Sequence, residues 1–289
     1  MKEIVKEKIA SLLSGDEEIQ SVEQLGGMTN QNYLVKTSSN QYIVKFFGKG
    51  TDKLIDRKNE KFNIELLKDL KLDVENYLFD IEAGIKVNQY IENAETLDSA
   101  TIKTKFEKIA PILQTIHASG KELKGEFAPF EEIKKYESLI QGEISYPNYE
   151  AVRKSVLSLK NELEKIGIEK KSCHIDLVPE NFIEGPDGHL YLIDWEYSSM
   201  NDPMWDLAAL FLESEFTPEE EADFLAYYEG DKTPVSREKI RIYKILQDII
   251  WSLWTIYKEE NGADFGDYGI TRYNRAVKEL QSQGGIDED

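Results

Sequence analysis

The hydrophobic period of this chain changes near residue 91, and that change limits its fold more than any other feature. Before it, apolar and polar residues alternate. Ile19-Gln-Ser-Val-Glu-Gln-Leu25, Tyr33-Leu-Val-Lys36, Gln41-Tyr-Ile-Val-Lys-Phe-Phe47, Asn76-Tyr-Leu-Phe79 and Ile85-Lys-Val-Asn-Gln-Tyr90 read as five short strands. Gly26-Gly27 and Ser38-Ser39-Asn40 supply the turns. An amphipathic helix over 1–14, with Ile4, Val5, Ile9, Leu12 and Leu13 inward, and a helix from Leu54 to Leu70 accompany them. Beyond Ile91-Glu-Asn the period becomes helical: 102–118, 130–140, 150–167, 205–213, 218–229, 236–260 and 268–281. The chief exceptions lie between 172 and 195, where Cys173–Phe182 reads as loop and Leu190-Tyr-Leu-Ile-Asp194 as a short strand. The expected architecture is α+β in two lobes. A small five-stranded antiparallel N-lobe (1–91) precedes a mostly helical C-lobe (92–289), with no long linker between them, so the lobes are hinged rather than strung apart.

Charge narrows the partners. The chain has 289 residues, 40% of them hydrophobic, and a formal net charge of −20. Such a surface repels nucleic acid and anionic membrane and attracts cations. No run approaches the roughly 18 apolar residues of a membrane helix, and the charged first segment has no apolar signal core. With one cysteine, Cys173, neither an internal disulfide nor a cysteine-rich zinc site is available. A cytoplasmic protein without membrane insertion is expected.

The chemistry concentrates in Cys173-His-Ile-Asp-Leu-Val-Pro-Glu-Asn-Phe182. Asp and Asn are ordinary turn formers, but here His174-x-Asp176 is followed by Asn181 and then by a strand that ends on Asp194. Asp176 is the candidate base or hydroxyl-orienting carboxylate. Asn181 and Asp194 offer hard oxygen ligands suited to Mg²⁺, and His174 holds the loop. Phosphoryl transfer needs this set: a metal between the β- and γ-phosphates and a separate carboxylate on the attacking hydroxyl.

In the N-lobe, Lys45 sits mid-strand and shares its face with Ile43 and Phe47, the setting of a buried, paired lysine. It is placed to hold the phosphates of ATP, with Glu60 on the next helix as its partner. In Gly26-Gly-Met-Thr-Asn-Gln-Asn32 the glycines admit phosphates close to the backbone, and Thr29 and Asn30 are candidate donors. This is neither G-x-G-x-x-G nor a P-loop. Gln89-Tyr-Ile91, where the lobes join, presents backbone groups to an adenine.

Together these parts resemble the protein-kinase-like fold, and within it the aminoglycoside phosphotransferases and the choline/ethanolamine kinases. The resemblance runs from the Gly26-Gly27 loop to about residue 275. It implies catalytic Asp176, metal ligands Asn181 and Asp194, and phosphate lysine Lys45. The departures matter. Protein kinases carry His-Arg-Asp and Asp-Phe-Gly where this chain has His174-Ile-Asp176 and Asp194-Trp-Glu196. Asp206, placed to brace the loop, follows too soon for an activation segment, which argues against a protein substrate.

Ile193-Asp-Trp-Glu-Tyr-Ser-Ser199 is similar to the segment that choline and ethanolamine kinases carry. Downstream, Trp251 and Trp254 lie on one helical face. A quaternary ammonium has no N–H to donate, so aromatic faces are how proteins hold it. Tyr197, Trp251, Trp254 and Tyr268 are the candidate walls, and Glu213 resembles the acidic residue that choline kinases place beside them. Tryptophans three apart are also common core residues, and Trp205 reads as core. The expected activity is transfer of the ATP γ-phosphoryl group to choline, with Mg²⁺ as cofactor. The resemblance further implies a role in phosphocholine decoration of cell-surface polymers. Ethanolamine, thiamine or an aminoglycoside is the alternative acceptor. An inactive kinase-fold binder of choline or nucleotide is disfavoured by the intact Lys45, Asp176, Asn181 and Asp194.

Overall fold

The structure, a computed structural model, describes residues 2–9, 12–13, 16–27, 30–230 and 233–282. In chain order it contains α1 (Lys2–Ile9), β1 (Ile19–Gln24), β2 (Gln31–Thr37), β3 (Gln41–Phe46), α2 (Arg57–Leu67), β4 (Asn76–Asp80), β5 (Ile85–Gln89) and β6 (Glu95–Thr96). There follow α3 (Phe106–His117), α4 (Pro129–Leu139), α5 (Tyr149–Ile166), β7 (Lys171–Cys173), β8 (Phe182–Glu184), β9 (Leu190–Leu192) and β10 (Ser199–Asn201). The chain ends in α6 (Pro203–Glu213), α7 (Pro218–Tyr228), α8 (Arg237–Glu260) and α9 (Tyr268–Ser282). These residues form two compact units. One is Met1–Asp98 with Pro179–Tyr197; the other is Ser99–Val178 with Ser198–Asp289.

The first unit is built on a five-stranded sheet of order β1-β2-β3-β5-β4, antiparallel throughout. Period-two alternation gives this sheet two different faces. Tyr33, Val35, Tyr42, Val44, Ile85 and Val87 pack on one of them with Ile19 and with Val5 and Ile9 of α1. Ile4, expected inward, is half exposed, because a step of one residue from Val5 turns it off the buried stripe. Leu12 and Leu13 are partly buried against the same core. The other face carries Lys45 and Lys86, which are register partners between β3 and β5.

The expected helix over 54–70 is shorter. Asp56 caps α2 by accepting from Lys58 N and Asn59 N, so the regular turns begin at Arg57. Separate 3₁₀ turns occupy Thr51–Lys53 and Lys68–Leu70. A second, three-stranded sheet of order β6-β8-β9 carries the segment that follows the loop, and Leu192 N–H bonds the Leu72 carbonyl.

The second unit is helical around α8, which is buried on nearly all sides from Ile240 to Tyr257 and packs against α9, α6, α4 and α5. A helix apolar around most of its circumference belongs at the centre of a core. Asp202 caps α6, accepts from Met204 N at 3.0 Å, and is held by Lys239 Nζ at 2.8 Å. Asp206 lies one turn further along α6. The β7–β10 pair frames the start of the Cys173–Phe182 loop. The strands β6, β7, β8 and β10, each of two or three residues, were not expected from the sequence; such lengths carry no readable period.

Candidate active site

In the first unit, Asp194 follows β9 with a left-handed backbone, φ 70°. Aspartate tolerates that region better than most residues, and the conformation still costs about 1–3 kcal/mol. Lys45 is buried, and its Nζ lies 2.9 Å from Asp194 Oδ1. Asn181 closes a 3₁₀ turn over Pro179–Asn181, and its carbonyl accepts the Ile193 N–H at 2.8 Å. The two hard-oxygen side chains therefore come from backbones tied together one residue short of Asp194. This donor set, an amide and a carboxylate beside a lysine, fits a divalent cation with phosphates.

Glu60 is not the partner of Lys45. Its Oε1 takes Lys86 Nζ at 2.5 Å and its Oε2 takes Arg57 Nη1 at 2.6 Å. The expected Lys45–Glu60 pair is thus replaced by Lys45–Asp194 and Lys86–Glu60. The reason is the β3–β5 register, which gives one sheet face two lysines in place of one. Arg57 also reaches Glu196 at 2.9 Å and the Asn30 side-chain oxygen at 3.0 Å. Asn30 Nδ2 donates to Glu196 Oε2 at 2.7 Å. Asn30, read as a phosphate donor, is buried with its amide engaged on both sides. Burial raises the Glu196 carboxyl, as does Asp194, against the pull of Arg57. Asp73, before β4, is a further carboxylate here; burial outweighs Lys86 and Lys45 and pushes its pKa up to about 7.

Gly27 lets the preceding loop turn back on itself. A Cβ there would lie 2.6 Å from Asn32 Nδ2 and 2.7 Å from the Asn30 carbonyl. Thr29 lies outside the described residues. Gln89 ends β5, with its N–H bonded to the Glu75 carbonyl at 2.8 Å, and Ile91 follows, half-buried. Tyr197 is buried at the end of a 3₁₀ turn that begins at Trp195.

In the second unit the loop is braced from α6. Asp206 is fully buried. It accepts the His174 N–H on one oxygen and the Ile175 N–H on the other, both at 2.8 Å. Ile175 has φ 79°, an outlier for a β-branched residue, and Trp205 Nε1 donates to its carbonyl at 3.0 Å. The strained turn ends at Asp176, which is half-buried. His174 is fully buried.

Sequence reasoning missed His117. Its Nε2 lies 3.0 Å from Asp206 Oδ2 and its Nδ1 lies 2.8 Å from the Tyr228 hydroxyl. With Asp206 as a carboxylate, Nε2–H donates and Nδ1 accepts from Tyr228. His117, Cys173 and Asp206 have ligand atoms within 4.8 Å of one another. They do not make a metal centre: both histidine nitrogens are occupied, and burial raises the Cys173 thiol far from thiolate.

The aromatic residues gather in this unit. Trp251 and Trp254 are buried and meet edge to face at 6.4 Å; Phe265 stands 5.0 Å from Trp254 and 6.4 Å from Tyr268. Phe265 was missed because it lies between helices, where no period marks it. Two of these rings already carry cations: Lys258 Nζ is 5.7 Å from Trp254, and Arg272 Cζ is 4.7 Å from Tyr268. Glu213 bonds Arg272, which also reaches Asp248 at 3.1 Å. Burial raises the Tyr268 phenol strongly; Arg272 opposes this, and Glu213 and Asp176 add to it. Asp176 and the aromatic group are therefore within electrostatic reach of each other. Gly269 lets Tyr146 close in beside α8, since a Cβ would meet its hydroxyl at 2.5 Å and Thr255 at 3.0 Å.

The choline/ethanolamine kinase family profile matches residues 22–239. Protein LicA of Haemophilus influenzae is 31% identical over 266 residues, spanning 88% of this chain and 99% of its own. The crystal structure of choline kinase LicA from Streptococcus pneumoniae superposes with a TM-score of 0.95 at 75% identity, covering 98% of this chain and 99% of that one. A structure of LicA in complex with AMP gives 0.92 at 76%, covering 97% and 98%. The protein-kinase-like, α+β fold read from the sequence is the fold of this protein. The chain belongs to the choline/ethanolamine kinase family.

Proposed function

We infer that this protein is a choline kinase: it moves the γ-phosphoryl group of ATP to the hydroxyl of choline, giving phosphocholine and ADP. The observation that carries the choice of acceptor is the aromatic group of Trp251, Trp254, Phe265 and Tyr268, in the unit that also holds Asp176. Two of its rings already host cations, Lys258 on Trp254 and Arg272 on Tyr268. The 75% identical pneumococcal protein is a choline kinase, and AMP bound to LicA supports ATP as the donor.

Asp176 takes the choline hydroxyl proton as that oxygen bonds the γ-phosphorus. The bond from phosphorus to the β-phosphate bridging oxygen breaks, and ADP leaves with its electrons. The step is direct, with no phosphoenzyme. Lys45 grips the phosphates. Asn181 and Asp194 are the residues that would hold Mg²⁺, which would neutralise phosphate charge during the transfer. Trp251, Trp254, Phe265 and Tyr268 hold the trimethylammonium. Glu213 has its charge balanced by Arg272. It is therefore less free to accept from a primary ammonium, which favours choline over ethanolamine. The single buried thiol, Cys173, suits the reducing cytoplasm, where we place the protein.

The test is ADP release with Mg²⁺-ATP against choline, ethanolamine, thiamine and kanamycin side by side. Choline is expected to be turned over with the highest kcat/KM. Preference for any of the other three would reassign the acceptor, and no turnover with all four would reject the kinase reading.

A further inference from the structure

Lys45 and Lys86 stand opposite each other across β3 and β5, and both are buried. Directly opposed like charges destabilise a sheet. Here each lysine has its own carboxylate: Asp194 at 2.9 Å for Lys45, and Glu60 at 2.5 Å for Lys86. Glu60 is fully buried and both of its oxygens are taken, the second by Arg57. Arg57 lies over the Phe47 ring at 4.1 Å and Lys86 over the Phe79 ring at 5.5 Å, and these two rings touch at 5.8 Å. The two cations are thus fixed on a shared aromatic pair as well as on one carboxylate.

We propose that Lys86 is a positioning residue for the nucleotide site, acting through Glu60. By holding Glu60, it leaves Lys45 with Asp194. Through Glu60 it also orients Arg57, which clamps Asn30 of the glycine loop and Glu196 of the Asp194 segment. A lysine on the neighbouring strand thereby does for Glu60 what the phosphate lysine was expected to do. Without Lys86, Glu60 keeps Arg57 but its Oε1 is a buried acceptor with no donor, and Lys45 across the ladder is a nearby ammonium to draw it. That exchange would pull Lys45 from Asp194 and loosen Arg57 from the loop.

The inference rests on the nucleotide-binding reading of the first unit, and one set of titrations separates the two. ADP affinity is measured by calorimetry on the full chain with Mg²⁺, for wild type, Lys86→Met, Lys86→Arg, Glu60→Gln, Lys45→Met and the doubles Lys86→Met/Glu60→Gln and Lys45→Met/Glu60→Gln. Lys86→Met should weaken ADP about tenfold, and the Lys86/Glu60 double should cost little more than the worse single, since both remove one interaction. The Lys45/Glu60 double should be additive. Lys86→Arg should recover most of the loss, and the choline KM should stay near wild type. A wild type that binds no ADP rejects the nucleotide reading itself. ADP binding unchanged in Lys86→Met, or coupling found only in the Lys45/Glu60 pair, overturns the proposal. If Lys86→Met does not fold, Lys86→Gln keeps the stem and a donor without the charge and is held to the same cycle.

Discussion

Replacing Asp206 by Asn tests whether the brace, rather than the loop sequence, holds Asp176 in place. The carboxylate accepts three hydrogen bonds, from His174 N, Ile175 N and His117 Nε2. An amide has one acceptor oxygen, so its NH₂ would face at least one of these donors. A hydrogen bond to a charged group contributes about 1.5–3 kcal/mol, and a stranded buried donor costs about 1–3 kcal/mol more. The loss of roughly 3 kcal/mol or more should lower the Tm on the order of 5–10 °C. The kinetic effect is separate. Ile175 holds φ 79° against its own preference, and without the brace nothing from Asp206 opposes its relaxation. A displacement of about 1 Å at Asp176 would cost on the order of a hundredfold in kcat. Steady-state ADP release should therefore show kcat falling about a hundredfold with both KM values nearly unchanged. Tyr228→Phe, which leaves the carboxylate intact and removes only the outermost bond to His117, should lose far less. A destabilised Asp206→Asn enzyme with kcat within about twofold of wild type would refute the reasoning. The brace would then serve the core alone.

Two further outcomes follow from the same geometry. Trp254→Ala removes a ring that meets Trp251, Phe265 and Lys258; a dry cation–π contact of about 2 kcal/mol corresponds to roughly a thirtyfold rise in choline KM. The ATP KM should hardly move, and equal rises in both would assign the residue to packing. Asp73 titrates near pH 7 in the fold and near 3.8 outside it. Its stabilising protonated form is retained below the lower value and lost as pH rises through the upper one. Asp73→Asn should therefore raise the Tm relative to wild type increasingly from pH 4 to pH 7, and level off above. Parallel melting curves across that range would dismiss the burial of Asp73 as its cause.

What the sequence made legible depended on length and spacing. Strands β1 to β5 are long enough to show alternation, and the helices long enough to show a period of 3.6. Strands β7 and β10, three residues each, frame the start of the Cys173–Phe182 loop yet have no period to read. The loop could be found because Asp176, Asn181 and Asp194 stand at the spacing expected of a phosphoryl-transfer loop. Partner choice was another matter. Whether Glu60 meets Lys45 or Lys86 is decided by cross-strand register, a three-dimensional quantity. His117 read as the last residue of an amphipathic helix, and only the fold brings Asp206 to it. Glu213 was placed correctly on its helix, but its commitment to Arg272 depends on how α9 lies beside α6 and α8.

The segment Pro179–Tyr197 belongs with the N-terminal unit although the chain reaches it only after α3, α4, α5 and β7. This has a consequence for biosynthesis. A ribosome that has released only the first hundred residues has made the sheet, but not Asp194 for Lys45 or Glu196 for Arg57. Lys45 would have to lie buried without its counter-charge, at a cost of several kcal/mol, and Arg57 with Glu60 alone. The N-terminal unit should thus remain loosely formed during translation, and lock only when Asp194 and Glu196 emerge. Its nucleotide-binding competence and its folding would arrive together, late in the life of the nascent chain.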